Sequence, residues 1–270
     1  MKLLRTRWLS RAGKALEADD IETAEAIVKR QLERKPDDLD ALHLLGQIHS
    51  FMERYEAAQE IYERLLKMDD TDEEARERLR RTHLRQAFKA REAGETEEME
   101  RAYRAALEIN PEDAFTHYNL GCAYMDGPPN RADEAAASWL RAIELRPDYV
   151  EAHFDLAQLY FADGRYEAAR PYFEAAAEAR PDWPAPIYCL AVIAVKTGDL
   201  EKGLEYALSA AELNTGWGRT AAEDENLAPL RGNPAFDELA NQASGPLDVL
   251  SREDILRGSE LFEEMDDDEE

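Results

Sequence analysis

The chain has 270 residues, of which 44% are hydrophobic and 34% are charged. This composition supplies enough apolar side chains for one large or two ordinary domains, and it excludes a disulfide miniprotein and a wholly disordered chain. The net charge of −26 disfavours nucleic acid and anionic membranes as partners, so we expect an apolar or cationic protein or peptide partner. The two cysteines, Cys122 and Cys189, stand apart, so neither a disulfide framework nor a thiolate metal site is indicated.

Residues 1–14 carry five basic residues and no acidic residue, but their longest apolar run is two residues. That run is too short for a secretory signal. No later stretch approaches the roughly 18 consecutive apolar residues that a membrane span needs, so we expect a cytoplasmic protein without membrane contact.

Prolines end apolar helical runs at positions 36, 111, 147 and 181, and the last interval is 34 residues. A period of this size is typical of a solenoid. Small and aromatic positions recur ahead of the prolines, as Leu45-Gly46 with Ala58-x-x-x-Tyr62, Leu120-Gly121-x-x-Tyr124 with Ala135-x-x-x-Trp139, and Leu156-Ala157-x-x-Tyr160 with Ala169-x-x-x-Phe173. This pattern resembles the tetratricopeptide repeat (TPR) over about residues 5–217.

The resemblance implies an all-α, right-handed α-solenoid of about six TPR helix hairpins with a C-terminal capping helix. Gly46, Gly121 and Ala157 are small, so the first helix of a pair can approach the second. The predicted repeats are 5–38, 39–72, 80–113, 114–149, 150–183 and 184–217.

Two stretches depart from the repeat length. Residues 73–79 fit before the third repeat as about two extra helical turns, which predicts a helix from about Asp72 to Ala93 with a projecting overhang. The sequence 126–130, which contains Gly-Pro-Pro, lengthens the turn of the fourth repeat. Residues 218–246 predict a cap whose last helix begins with Asn233 as N-cap and Pro234 in the first turn. Residues 247–270 form an acidic segment expected to be disordered, with a capping-box pattern at Ser251–Asp254.

No catalytic motif occurs, and we expect neither enzyme activity, nor a cofactor, nor a metal. His83, His117 and His153 occupy the same position of successive first helices, about 10 Å apart by helix-packing distances, which is too far for shared metal ligation. We interpret them as structural residues.

In the TPR family, partner residues lie on the first helices, which line a concave groove. The matching positions are rich in aromatic and aliphatic side chains, which suggests that a peptide or helix docks there. Phe88, Tyr118, Phe154 and Tyr188 are the expected anchors, and Asn119 and Gln158 are expected to bond a peptide backbone. The full predicted set is Phe51, Phe88, Phe115, Tyr118, Asn119, Cys122, Phe154, Gln158, Phe161, Tyr188 and Val192. The alternative is that these side chains pack on each other or on the cap.

The sequence therefore predicts a non-catalytic adaptor or scaffold. The dicarboxylate clamp that binds chaperone C-termini is disfavoured, because its positions hold Leu9, Gly13, Leu44, Arg81 and Arg85, of which only the arginines match. Three alternatives stay open: self-association through the basic end, the overhang or the groove; occupation of the groove by residues 247–262; and an accessory role in an enzyme or secretion complex on another chain.

Overall fold

The computed structural model describes residues 2–127 and 131–242. The acidic segment 247–270, its capping-box pattern and residues 128–130 of the Gly-Pro-Pro turn lie outside these ranges. The chain divides into two compact units, Met1–Ser138 and Trp139–Glu270.

The described residues form fourteen α-helices and one 3₁₀ helix, with no strand among them. The first unit contains α1 (Lys2–Glu17), α2 (Ile21–Arg34), α3 (Leu39–Phe51), α4 (Tyr55–Met68), α5 (Glu73–Ala93), α6 (Thr96–Ile109) and α7 (Ala114–Asp126). The unit boundary falls within α8 (Ala132–Leu145). The second unit contains α9 (Val150–Ala162), α10 (Tyr166–Ala179), α11 (Pro184–Lys196), α12 (Leu200–Leu213), α13 (Thr215–Glu223), the 3₁₀ helix Glu225–Leu230 and α14 (Pro234–Gln242). The predicted all-α fold of repeated helix pairs is confirmed.

Aspartates fix the start of several helices. The carboxylates of Asp20, Asp72, Asp113 and Asp199 accept backbone N–H groups of the first turns of α2, α5, α7 and α12. These N–H groups have no partner within the helix, so each aspartate satisfies a group that would otherwise depend on water.

Small residues set the distance between the helices of a pair. A Cβ atom built on Gly46 of α3 would lie 2.7 Å from ring atoms Cε1 and Cζ of Tyr62 on α4. Tyr62 is 1% exposed, so the ring is enclosed by other protein atoms. A Cβ atom built on Gly203 of α12 would likewise lie 2.6 Å from Cγ2 of Val195. Glycine at these positions permits the close approach.

A buried polar cluster joins α2, α3 and α4. Glu25 is 7% exposed and accepts two hydrogen bonds of 3.0 Å from one guanidinium nitrogen of Arg54. The Lys29 ammonium and this guanidinium lower the pKa of Glu25 below its ordinary value. His49 lies 3.6 Å from the same carboxylate, and burial lowers the pKa of its imidazole. The cluster therefore holds a charged carboxylate beside a neutral histidine at neutral pH.

The long helix expected near residues 72–93 is present as α5, but its first turns do not project freely. Ala75 and Leu79 are buried in a cluster with Leu42, Tyr62 and Leu65 of α3 and α4. The N-cap Asp72 lies 34 positions after Asp38, the residue that precedes α3, so α5 begins in register with α3. The seven extra residues therefore lie within the continuous helix α5. The prediction of a projecting overhang was wrong for the first turns of α5. Ala75 and Leu79, four positions apart, form an apolar stripe that faces α3 and α4.

The C-terminal cap covers the sixth helix pair. Leu227, Leu230, Phe236 and Leu239 join Val192, Val195 and Ala207 in one buried cluster. The N-cap predicted at Asn233 is present, since its side chain accepts the Ala235 N–H at 3.0 Å. Helix α13 was not predicted, because Gly216 and Gly218 are poor helix formers. A Cβ atom on Gly218 would lie 3.3 Å from the Leu239 carbonyl oxygen, so glycine allows α13 to pack closely on α14.

Candidate functional site

Helix α5 lies between α3 and α7 in the first unit. Thr82 of α5 donates a hydrogen bond to Ser50 Oγ of α3 at 3.3 Å, and the rings of Phe88 and Phe115 lie 5.9 Å apart. The C-terminal half of α5 therefore presents a surface between the end of α3 and the start of α7. We call this surface, formed by Phe51, Arg85, Phe88, Lys89, Arg91 and Phe115, the α5 face.

Aromatic side chains mark both sides of the α5 face. Phe51, the last residue of α3, is 53% exposed, which is unusual for a side chain of this size. On the other side, the half-buried Phe88 packs edge-on against Tyr103 and contacts Phe115. The Arg91 guanidinium lies 5.3 Å from the Phe88 ring centre, in the range of a cation–π contact.

One cation at the centre of the α5 face has a carboxylate partner within the chain. Lys89 pairs with Glu53 at 3.1 Å. Burial raises the pKa of the Tyr55 hydroxyl, which stays neutral at physiological pH. Because exposed ion pairs such as that of Lys89 with Glu53 contribute little, we expect apolar contacts to supply the larger part of any binding energy on this face.

Three of the predicted partner residues on α7 are buried. Tyr118 and Asn119 are each 2% exposed, and Cys122 is 7% exposed. The Asn119 amide donates a hydrogen bond of 2.9 Å to the Phe115 carbonyl oxygen of its own helix, so that amide is already engaged. The burial of these residues favours the alternative in which they pack within the repeats.

The predicted partner residues on α9 in the second unit include both packed and exposed side chains. The Phe154 ring packs at a tilt against Trp183 with ring centres 4.3 Å apart, and Phe154 and Phe161 both contact Phe173. Gln158 is exposed between them on α9.

The cap occupies two further predicted positions, Tyr188 and Val192. The Tyr188 ring lies 4.9 Å from Trp217, and its hydroxyl donates a hydrogen bond to Asp224. Burial and the Asp224 carboxylate raise the pKa of this hydroxyl. Val192 is 2% exposed beneath the cap. The first helix of repeat six is therefore covered by the chain itself at these positions.

The histidines have local structural partners. His117 Nε2 lies 2.9 Å from the Pro111 carbonyl oxygen, and His153 Nε2 lies 2.8 Å from that of Pro147. The imidazoles thus bond to the turns that end the preceding repeats. No group of three or more metal-binding side chains occurs within residues 2–127 and 131–242.

Sequence reasoning missed the packing partners of several aromatic residues. Trp183 and Trp217 lie outside the positions that the family uses for binding, so they were not considered as neighbours of Phe154 and Tyr188. Lys89 was also missed, although its four-residue spacing from Arg85 indicates that both lie on one side of α5.

Family models of the tetratricopeptide repeat match residues 15–81 and 130–184. The chain contains tetratricopeptide repeats. TPR repeats mediate protein–protein interactions, and the fold is typically non-catalytic. No helix in the described part of this TPR chain is long and apolar enough to cross a membrane.

Two curated relatives are peroxisomal targeting signal receptors. That of Candida glabrata is 32% identical over 74 residues, and that of Candida albicans is 33% identical over 67 residues. These matches cover 27% and 25% of this chain, and 12% and 11% of the relatives. The TPR chain thus spans only about an eighth of the length of these receptors.

Solved structures of similar fold include YrrB, described as a TPR protein with an unusual peptide-binding site. The match has 20% identity and a TM-score of 0.48, and it covers 69% of this chain and 92% of YrrB. Pseudomonas aeruginosa PilF matches with 19% identity and a TM-score of 0.47, over 82% of this chain and 97% of PilF.

Proposed function

We propose that this TPR chain is a non-catalytic adaptor that binds a peptide or a helix of a partner protein on the α5 face. The observation that carries the proposal is the 53% exposure of Phe51 at one side of a face whose other side holds Phe88 and Phe115. Two aromatic positions separated by one helix can receive two apolar side chains of an extended or helical segment.

The balance of charge supports an apolar partner segment. Lys89 is paired with Glu53, and Arg91 keeps its positive charge over the Phe88 ring, so the face does not attract a cationic ligand. The whole-chain charge predicts an apolar or cationic partner, and the α5 face favours the apolar part of that prediction. The names of the relatives, a targeting signal receptor and a TPR protein with a peptide-binding site, are consistent with a peptide ligand.

A selection of short peptides from a displayed random library on the full chain tests this function. We expect selected peptides with apolar residues at two positions, and Phe51→Ala should weaken their binding about tenfold or more by fluorescence anisotropy. Phe88→Leu keeps most of the buried volume and should weaken binding without unfolding α5.

Met68→Ala is the matched control. Met68 is 41% exposed at the end of α4 in the same unit, so its removal takes away comparable exposed apolar surface. Binding that responds equally to Phe51→Ala and Met68→Ala, or to neither, would contradict the assignment of the α5 face.

A further inference from the structure

One turn of the first unit holds a residue that its backbone conformation disfavours. In the pairs α5–α6, α9–α10 and α11–α12, the position two residues before the second helix is glycine, with φ between 71° and 92°. The α3–α4 turn has Glu53 at this position, with a φ of 56°. Left-handed backbone crowds a Cβ atom, and glycine, asparagine and aspartate adopt it most readily. Glycine would therefore fill the position of Glu53 with less strain.

The α1–α2 turn provides an internal reference for this strain. Asp19 occupies the same position of that turn, and its φ is also 56°. Aspartate is short and tolerates the conformation better than glutamate does. No ion pair found among the described residues involves Asp19. A change at Asp19 therefore alters the backbone conformation without altering a charge contact.

Glu53 differs from Asp19 because its carboxylate has a partner on the α5 face. The Lys89 ammonium lies 3.1 Å from the Glu53 carboxylate, and both side chains are about half exposed. Glu92 also acts on Lys89, but more weakly than Glu53 does. An exposed ion pair contributes little to stability, so it does not offset the cost of a strained backbone. The stability of the fold therefore does not account for glutamate at this position.

Lys89 lies between the two aromatic positions of the α5 face. Glu53 follows Phe51 by two residues, so its ion pair with Lys89 stands beside the exposed Phe51 ring. Phe88 precedes Lys89 and lies about 100° further around the helix, where it contacts Phe115 of α7. A segment that contacts both Phe51 and Phe88 therefore covers the Lys89 ammonium. Covering a cation removes its water, which is costly unless a carboxylate stays beside it.

We propose that Glu53 is a specificity-determining residue of the α5 face and makes this face prefer an uncharged segment over an acidic one. The Glu53 carboxylate neutralises Lys89, so apolar groups can cover the pair at low cost. Without this carboxylate, the Lys89 ammonium favours an acidic residue of the ligand. The inference rests on the proposed function, because it concerns the ligand of the same face.

The test compares two peptides on the full chain by fluorescence anisotropy. One is a selected peptide with two apolar residues, and the other carries aspartate at an uncharged position between them. We expect the wild-type chain to bind the uncharged peptide more tightly. Glu53→Gly and Glu53→Gln should each shift the ratio of the two dissociation constants about fivefold or more towards the acidic peptide. Glutamine keeps the strained backbone and glycine relieves it, so a shift shared by both variants comes from the lost charge.

Stability measurements separate this effect from unfolding. Glu53→Gly should not lower the urea midpoint, because it relieves the left-handed backbone. Asp19→Gly is the matched control, since it relieves the same conformation and should leave the ratio of dissociation constants unchanged. Adding Lys89→Met to Glu53→Gly should return this ratio to within about twofold of the wild-type value, because the unpaired ammonium is then gone. Raising the salt from about 50 mM to about 500 mM should reduce the shift.

The outcomes distinguish this inference from the proposed function. A ratio that neither Glu53 variant changes, in a chain whose binding still responds to Phe51→Ala, would overturn the inference alone. A shift that persists after Lys89→Met would show that Glu53 repels acidic ligands directly, and it would also overturn the role assigned to the ion pair. If no selected peptide responds to Phe51→Ala, the proposed function fails and this inference fails with it.

Discussion

Replacing Gly46 with alanine tests whether close helix approach is what the small residue provides. The added Cβ atom would stand 2.7 Å from two ring atoms of Tyr62 and 3.0 Å from its hydroxyl oxygen. Contacts of this length are repulsive, and the ring is enclosed, so α3 and α4 must move apart or Tyr62 must leave its rotamer. Overpacking of this kind costs roughly 1–3 kcal/mol.

Alanine also favours the helix, which offsets part of this cost. The intrinsic gain of alanine over glycine within a helix is about 1 kcal/mol. The expected net result for Gly46→Ala is therefore a loss of about 1 kcal/mol in the free energy of unfolding. Gly13 of α1 is the control position, since an added Cβ atom there meets no atom within 4 Å. Gly13→Ala should stabilise the chain by up to about 1 kcal/mol.

Urea unfolding followed by circular dichroism measures both variants, and hydrogen exchange of α3 and α4 amides localises the effect. In a Tyr62→Leu background the clashing ring atoms are absent, so Gly46→Ala should stabilise the chain by up to about 1 kcal/mol. This coupling is the signature of a direct contact. Equal stabilisation by Gly46→Ala and Gly13→Ala would refute the packing argument.

Acidification should lower stability through two groups of the α2–α4 cluster. The pKa values of Glu25 and His49 are both lower in the folded chain than in the unfolded chain, so the unfolded chain binds more protons. The free energy of unfolding therefore decreases as the pH falls below about 6.5 for His49 and below about 4.5 for Glu25. Glu25→Gln should flatten the lower part of this profile in urea titrations at several pH values. Burial raises the pKa of Cys189 to about 12, so iodoacetamide should modify it slowly in the folded chain and rapidly in urea, as mass spectrometry would show. Phe236→Ala should destabilise the cap by about 3–5 kcal/mol, because this side chain is 1% exposed, and fluorescence of Trp217 would report the loss.

The helix pairs could be predicted because each repeat carries its own local signals. Gly46, Ala58 and Tyr62 recur in sequence at the positions where the structure brings α3 and α4 together. Asn233 and Pro234 likewise mark the start of α14 through local capping chemistry. These features depend on residues that are close in the chain, so the sequence pattern contains them.

Burial at the candidate site depended on neighbours that the repeat pattern does not specify. Tyr188 was predicted as a groove anchor, but Trp217 of α13 and Asp224, the residue after α13, contact it. Asn119 was predicted to bond a peptide, but its amide bonds to Phe115 of the same helix. The position of a residue in the repeat indicates the side of the helix on which it lies. It does not indicate which other part of the chain covers that side.

The length of α5 limits how this protein can be rearranged. Its first turns pack with α3 and α4, and its last turns pack with α6 and α7, so a single continuous helix serves two sets of neighbours. Replacing this part of the chain with a standard 34-residue repeat would preserve the contacts with one set of neighbouring helices and disrupt the contacts with the other set. Grafting or duplicating repeats is therefore compatible with the fold only on either side of α5, and this helix divides the array into blocks that must be exchanged whole.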